Sequence, residues 1–332
     1  MAWDRGKRLD GDRYEIEAVL GCGRFAVTYK AWDTKQQRQP VAIKTLNEET
    51  RLVLAAQDPE KCRRVRQTFL DEARGLMKCD HPHVVKVLDL FMEGDGPCVV
   101  MEFVAGEDLT QCGRGVTEAQ ALGFVGQIGA ALDHIHGKGI LHRDVRPGNI
   151  RLRAGEATAV LIDFGSALAF SDELSCTQSA SHAGGFAAPE AYTSQGKRGA
   201  WTDLYSLGAV LYWLVTGDKP ATALERKLAI RDGKADPLSF PSNLDRSLVG
   251  LIEQVMRLEG GDRPKSAVLW LGQMPKGVGV SPKAVVSWKK IWTGIAAMAV
   301  VLGAIGGAMQ GWAALFGPLS EKQPSAQQEK GR

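Results

Sequence analysis

The sequence predicts an α+β chain that ends in a helix able to span a membrane. Three observations carry this reading. Strand-like runs come first, at 14–20, 27–32 and 41–44. Apolar residues in helical spacing (Val65, Phe69, Leu70, Ala73, Leu76, Met77) then mark a helix over 59–78. Near the end, 291–309 gives 19 residues without a charge, and the uncharged stretch runs on to Ser320. At about 1.5 Å per residue, such a helix nearly matches a hydrocarbon core about 30 Å thick. Trp288, Trp292 and Trp312 lie near its two ends, where amphipathic indoles favour headgroups.

Composition bounds the function. The 332 residues are 44% hydrophobic and 24% charged, ordinary globular usage that excludes a wholly disordered or collagen-like chain. A net charge of +3 is too slight for a protein that binds nucleic acid through a basic surface, so no nucleic-acid partner is expected. The six cysteines (22, 62, 79, 98, 112, 176) form no C-x-x-C pair, which suggests neither a zinc framework nor a disulfide scaffold and fits a reducing cytoplasm. The first residues, MAWDRGKRLDGDRYE, lack the apolar core of a secretory signal. No internal repeat precedes residue 274.

Residues 274–290, rich in Pro, Gly, Ser and Lys, read as a linker before the apolar span, and the polar tail from Gly317 onward cannot bury enough surface to form a domain. Gly303 and Gly307 form a G-x-x-x-G that Gly307 and Gly311 repeat, a spacing that lets two helices approach closely in lipid. Glycine is also simply common in membrane helices, and both readings stay open.

The chemistry begins at Gly21-Cys22-Gly23-Arg24-Phe25-Ala26, a glycine turn between two strand-like runs. Glycines admit phosphates close to the backbone, although the pattern alone equally marks an ordinary hairpin. No helix follows the turn, which separates it from a dinucleotide fingerprint. Instead comes a strand bearing Val41-Ala42-Ile43-Lys44. A lysine in an apolar strand wants an anion, unless it is an edge lysine whose head reaches water. Glu72 falls on or near the buried face of the 59–78 helix, where a carboxylate wants a cation, and Lys44 is the natural candidate. Further on stands His142-Arg143-Asp144-Val145-Arg146-Pro147-Gly148-Asn149, and 19 residues after Asp144 comes Asp163-Phe164-Gly165. A carboxylate can orient an acceptor hydroxyl and take its proton, while an asparagine and a second aspartate offer hard oxygen ligands for magnesium.

Together with Ala188-Pro189-Glu190, this ordered set resembles the eukaryotic-type protein kinase family, and within it the bacterial serine/threonine members that carry a membrane helix after the kinase domain. The resemblance spans about 14–271. It implies a bilobal fold, with a small β-rich lobe, a large helical lobe and ATP in the cleft between them. It also implies a protein kinase domain at 14–274, followed by a linker at 275–290, a transmembrane helix at 291–312 and a tail at 313–332. By matching motif, Gly21, Gly23, Ala26, Thr28 and Ala42 would surround the nucleotide. Lys44 would hold its α- and β-phosphates and pair with Glu72. Asp144 would be the catalytic base, and Asn149 and Asp163 would hold Mg²⁺. Met101 would be the gatekeeper of a hinge in which backbone groups of Glu102 and Val104 face adenine, and Asp108 would reach the ribose. Glu190 would pair with Arg263, and Asp203 would brace the catalytic loop.

Departures from the family pattern stand out: Ala26 for the third loop glycine with Thr28 for a valine over adenine, Arg146 for the lysine that steadies the transferred phosphoryl, and Ala183 for a threonine before Ala188-Pro189-Glu190. Lys44 and Glu72 are also 28 residues apart. The expected function is phosphoryl transfer from ATP to serine or threonine of proteins, itself included. A pseudokinase scaffold is the alternative, and a small-molecule kinase a third reading. Ser175, Thr177 and Ser179 are the favoured acceptors in the activation loop. His134 and His136, two apart, share no helix face and suggest no metal site. The kinase domain is expected in the cytoplasm, with a single-pass anchor and a homodimer face at Gly303 and Gly307.

Overall fold

The computed structural model describes residues 3–23, 25–56, 59–164, 184–193 and 196–273. The candidate acceptors Ser175, Thr177 and Ser179, with Cys176 and Ala183, lie within 165–183 outside the described residues, as do the expected linker, the apolar span with Gly303 and Gly307, and the tail beyond 273. Among the described residues, no helix is long and apolar enough to cross a membrane.

The amino-terminal lobe is a six-stranded antiparallel sheet in the order β1-β2-β3-β4-β6-β5. Its strands are β1 (Arg8–Leu9), β2 (Tyr14–Cys22), β3 (Ala26–Asp33), β4 (Gln39–Leu46), β5 (Val87–Glu93) and β6 (Gly96–Glu102). The period of two sets the faces: Val27, Tyr29 and Ala31 of β3 are buried with Tyr14, Ile16, Val41, Ile43 and Val100 in one apolar cluster. Trp3 stacks on Tyr29 at 5.0 Å and Phe91 on Tyr14 at 5.4 Å, extending that core.

Two helices lie between β4 and β5. Helix α2 (Pro59–Met77) ends one residue short of the predicted limit, and its apolar stripe of Cys62, Val65, Phe69, Ala73 and Leu76 is buried and packs on β5 and β6. A helix not anticipated from sequence, α1 (Glu48–Ala55), precedes it and accounts for the long separation of Lys44 and Glu72.

The second lobe is mainly helical. Its elements are β7 (Gly106–Asp108), α3 (Leu109–Cys112), α4 (Glu118–His136), β8 (Ile150–Arg153), β9 (Ala159–Leu161), α5 (Ala200–Thr216), α6 (Ala223–Arg231), α7 (Arg246–Val255) and α8 (Ala267–Leu271). Helix α4 starts at a capping box of Thr117 and Gln120. Helix α5 is buried on every side from Thr202 to Leu214 and stops at Gly217, whose φ of 79° favours a residue without Cβ. A helix apolar all round needs packing on all sides, and α4, α7 and the segment at Gly184–Phe186 supply it. The small sheet β7-β8-β9 floors the cleft, and the backbone pairs Val85 N to Leu161 O (3.0 Å) and Leu161 N to His83 O (2.9 Å) tie the loop after α2 to it.

Candidate active site

Strand register assembles the first part of the site. Gly21 lies opposite Thr28, Thr28 opposite Lys44, and Lys44 opposite Val99. Two residues along, Ala42 lies opposite Met101. Residues facing one another across antiparallel strands share a face, so the glycine turn, Thr28, Ala42, Lys44 and Met101 all look to the same side of the sheet. The turn closes through Gly23 N donating to Ala26 O at 2.8 Å. Met101 and Val104 are buried. The Glu102 N–H is given to Lys86 O, while its carboxylate grips Arg153 of β8 at 2.9 and 3.0 Å, an ion pair across the hinge. Asp108 accepts hydrogen bonds from Thr110 N and Thr110 Oγ1 and thereby caps α3, so local structure already uses its Oδ1.

The second part comes from the loop 142–149. Asn149 Nδ2 donates to both Asp144 O and Asp144 Oδ2 at 2.8 Å, which fixes the Asp144 carboxylate. Burial pushes Asp144 above the usual carboxylate range, against the pull of Arg146 and His142. This loop is held from below by Asp203 of α5, wholly buried, whose oxygens accept His142 N (2.9 Å) and Arg143 N (2.7 Å) and meet His136 Nε2 at 2.7 Å. Burial opposes the charge on Asp203, yet His136 and the backbone donors together hold its carboxyl below the usual range. His142, also fully buried, meets Ile162 O through Nε2 at 2.9 Å and lies edge-on to Phe164 at 4.6 Å, which joins the segments carrying Asp144 and Asp163. Arg143 and Asp163 both sit in the left-handed region, at φ 64° and 63°. That conformation costs a non-glycine residue of order 1 kcal/mol, and here it falls within the two segments singled out for their candidate site residues.

The expected partnership of Lys44 differs from the observed one. Lys44 Nζ forms its ion pair with Asp163 Oδ1 and donates to Phe164 O at 3.2 Å; no ion pair with Glu72 is present among the described residues. The physical reason is competition: the left-handed backbone at Asp163 brings its carboxylate onto the buried ammonium, and one cation serves one close anion best. The proximity of Lys44 holds the Asp163 carboxyl well below the usual range. Glu72, half-buried and making no ion pair among the described residues, is raised from 4.5 to about 7 by burial, only partly offset by Arg143 and Lys44.

Glu190 takes Arg263 in a two-point pair at 2.8 and 3.0 Å and accepts Thr202 Oγ1 at 2.8 Å. Two contacts escaped sequence reading: His136 with Asp203, 67 residues apart, and Glu102 with Arg153, 51 apart. Only the histidine that ends α4 hinted at the first.

The site therefore places a hydrogen-bonded carboxylate (Asp144), two hard oxygen donors (Asn149, Asp163) and a buried ammonium (Lys44) between a glycine turn and a helical lobe. Comparison with known proteins agrees. The family model described as protein kinase domain matches residues 14–270. The serine/threonine-protein kinase PkaA of Streptomyces coelicolor is 33% identical over 291 residues, covering 81% of this chain and 51% of that protein. PknB of Mycobacterium leprae is 35% identical over 218 residues, 63% of this chain and 33% of that one. The chain thus spans about half or less of the length of these curated relatives. Among solved structures, PpkA-294 in its apo form superposes with a TM-score of 0.63 at 25% identity, over 82% of this chain and 99% of that one. The Mycobacterium tuberculosis PknI kinase domain, at 24% identity and a TM-score of 0.59 over 82% of this chain and 98% of that one, shares the fold. With the matched residues running through Lys44, Asp144 and Asp163, the chain belongs to the protein kinase family.

Proposed function

We propose that this protein is an ATP-dependent kinase that phosphorylates serine or threonine of proteins, including itself. The observation that carries the reading is Asp144 fixed by Asn149 beside Asp163 and Lys44. The donor set fits a magnesium nucleotide: Asn149 spends its Nδ2 on Asp144, which turns Oδ1 to other use, and the Asp163 carboxylate stays ionised beside a cation. Magnesium and ATP would supply the transferable phosphoryl group and the charge that neutralises it.

The chain's own residues do the rest. Asp144, raised by burial yet drawn down by Arg146, takes the proton from the acceptor hydroxyl as that oxygen attacks. Lys44 binds phosphate oxygens once released from Asp163, and Glu72 becomes its counter-ion. Arg146 steadies the transferred group as a planar, always charged donor. Asp203 holds the loop rigid from beneath.

The proposed boundaries are a kinase domain at 14–274, a linker at 275–290, a membrane helix at 291–312 and a tail at 313–332, with the kinase domain facing the cytoplasm, where ATP is. The charge-free run and its flanking tryptophans support the anchor. Self-association through Gly303 and Gly307 belongs to the same proposal. Protease protection of the kinase domain in sealed vesicles checks the topology, and unchanged oligomerisation of Gly307→Leu would remove the dimer face.

The deciding experiment incubates the purified protein with Mg²⁺ and labelled ATP beside Asp144→Asn and maps the phosphosites. Label on serine or threonine in the wild type alone supports the reading. Nucleotide binding without label on itself or on generic acceptors would turn it to a regulatory scaffold.

A further inference from the structure

A cavity of about 340 Å³ lies away from the catalytic cleft, bounded by Glu190, Lys197, Trp201, Lys227, Leu258 and Glu259. Its wall is built rather than incidental. Trp201 is flanked by two glycines: a Cβ on Gly199 would come within 2.4 Å of its ring, and one on Gly260 within 2.7 Å. Lys265 sits 6.0 Å from the Trp201 ring centroid and donates to Gly261 O at 3.0 Å.

The charge around this cavity is unbalanced. Glu190 is committed to Arg263 and Thr202. Glu259, well exposed, meets Lys227 at 3.4 Å. Lys197 makes no ion pair among the described residues and Lys265 makes none either, so the rim carries a surplus of positive charge.

Beside it runs the outer face of α6. Leu224 and Leu228, four apart and next to Lys227, are 51% and 39% exposed. The opposite face of α6 is locked: Arg226 is buried and holds Asp236, Tyr205 Oη and Met256 O. The two leucines therefore stand on a rigid platform.

The cavity is coupled to the catalytic loop by position. Trp201 and Asp203, the brace of His142 and Arg143, share the first turn of α5.

We infer that this cavity and the outer face of α6 form a docking site for a protein substrate, taking a segment in which acidic and apolar residues alternate, remote from the residue phosphorylated. Carboxylates enter beside Lys197, Lys227 and Lys265, and apolar side chains cover Leu224 and Leu228. The inference rests on the protein-kinase reading and adds a recognition element to it.

The test uses the full chain in detergent and three serine-containing acceptor peptides with one common acceptor sequence, extended by an acidic–leucine tail, a lysine–leucine tail or a glycine–serine tail. The acidic–leucine peptide is expected to show a roughly tenfold higher kcat/KM than the glycine–serine one, expressed in KM. Lys197→Glu combined with Leu224→Ser is expected to abolish that preference while turning over the glycine–serine peptide as before. Equal rates for all three tails, a preference for the lysine–leucine tail, or a preference that survives in the double variant would each overturn the inference. Fluorescence anisotropy of the acidic–leucine tail alone reads the docking without catalysis. Binding that the double variant loses supports the site even if no peptide is phosphorylated, and absent binding overturns it whatever the kinase activity.

Discussion

Glu72 without its lysine should leave a signature in the pH dependence of stability. Burial raises this carboxyl from 4.5 to about 7 in the folded chain. Below pH 4.5 both folded and unfolded chains hold the proton, and the site costs nothing. Between 4.5 and 7 the unfolded chain ionises first, so folding stability falls as pH rises, and the loss is complete above 7. At about 1.4 kcal/mol per unit, the full shift corresponds to ~3 kcal/mol. Glu72 is only half-buried, and solvent screening reduces this to ~2 kcal/mol. Glu72→Gln removes the ionisation and keeps the shape. The variant should match the wild type near pH 4.5 and exceed it by ~2 kcal/mol at pH 8, measured by urea unfolding followed through tryptophan fluorescence without nucleotide. The same substitution should lower phosphotransfer at least about tenfold, because Lys44 loses its counter-ion in the working state. A stability difference that stays flat from pH 5 to 8, or a variant less stable than the wild type at pH 8, would refute the reasoning.

Other expectations follow from the same geometry. Asp203→Ala strands two backbone N–H groups and His136 in a dry interior and should cost ~3 kcal/mol or more in unfolding free energy along with nearly all activity; a melt within a degree or two of wild type would count against it. Arg146→Ala withdraws a positive charge from Asp144 and Asp163, so the acidic limb of the pH–rate profile should move to higher pH, whereas Arg146→Lys should leave it in place. Arg153→Ala breaks a partly exposed hinge pair and should cost no more than about 1 kcal/mol by chemical denaturation. Gly208→Ala puts a Cβ 2.2 Å from Val255 Cγ1, between two buried helices, and should lower stability by ~1–3 kcal/mol; a neutral result would mean α5 and α7 separate more easily than their packing implies.

Much of this protein is legible in its sequence because its signals are local. The strand-like runs at 14–20 and 27–32 became β2 and β3, and the apolar stripe of 59–78 became α2, since each signal is local to a single element. The candidate site residues are likewise grouped in short motifs, so Lys44, Asp144, Asn149 and Asp163 could be proposed without coordinates. Helix α1 was missed because its eight residues carry only a weak apolar face, with Leu52 and Val53 left exposed.

What the tertiary structure alone decided is who pairs with whom. Lys44 faces two carboxylates that sequence cannot rank, and the left-handed turn at Asp163 settles the choice against Glu72. His136 and Asp203 meet across 67 residues, and Glu102 and Arg153 across 51, because helix packing and the lobe hinge bring distant segments together. The cavity beside Trp201 is assembled from three separate stretches of chain, of which only the first carries a motif, Ala188-Pro189-Glu190. Residue type and spacing determine which chemistry the chain can perform; burial and backbone direction determine which of the available charges meet.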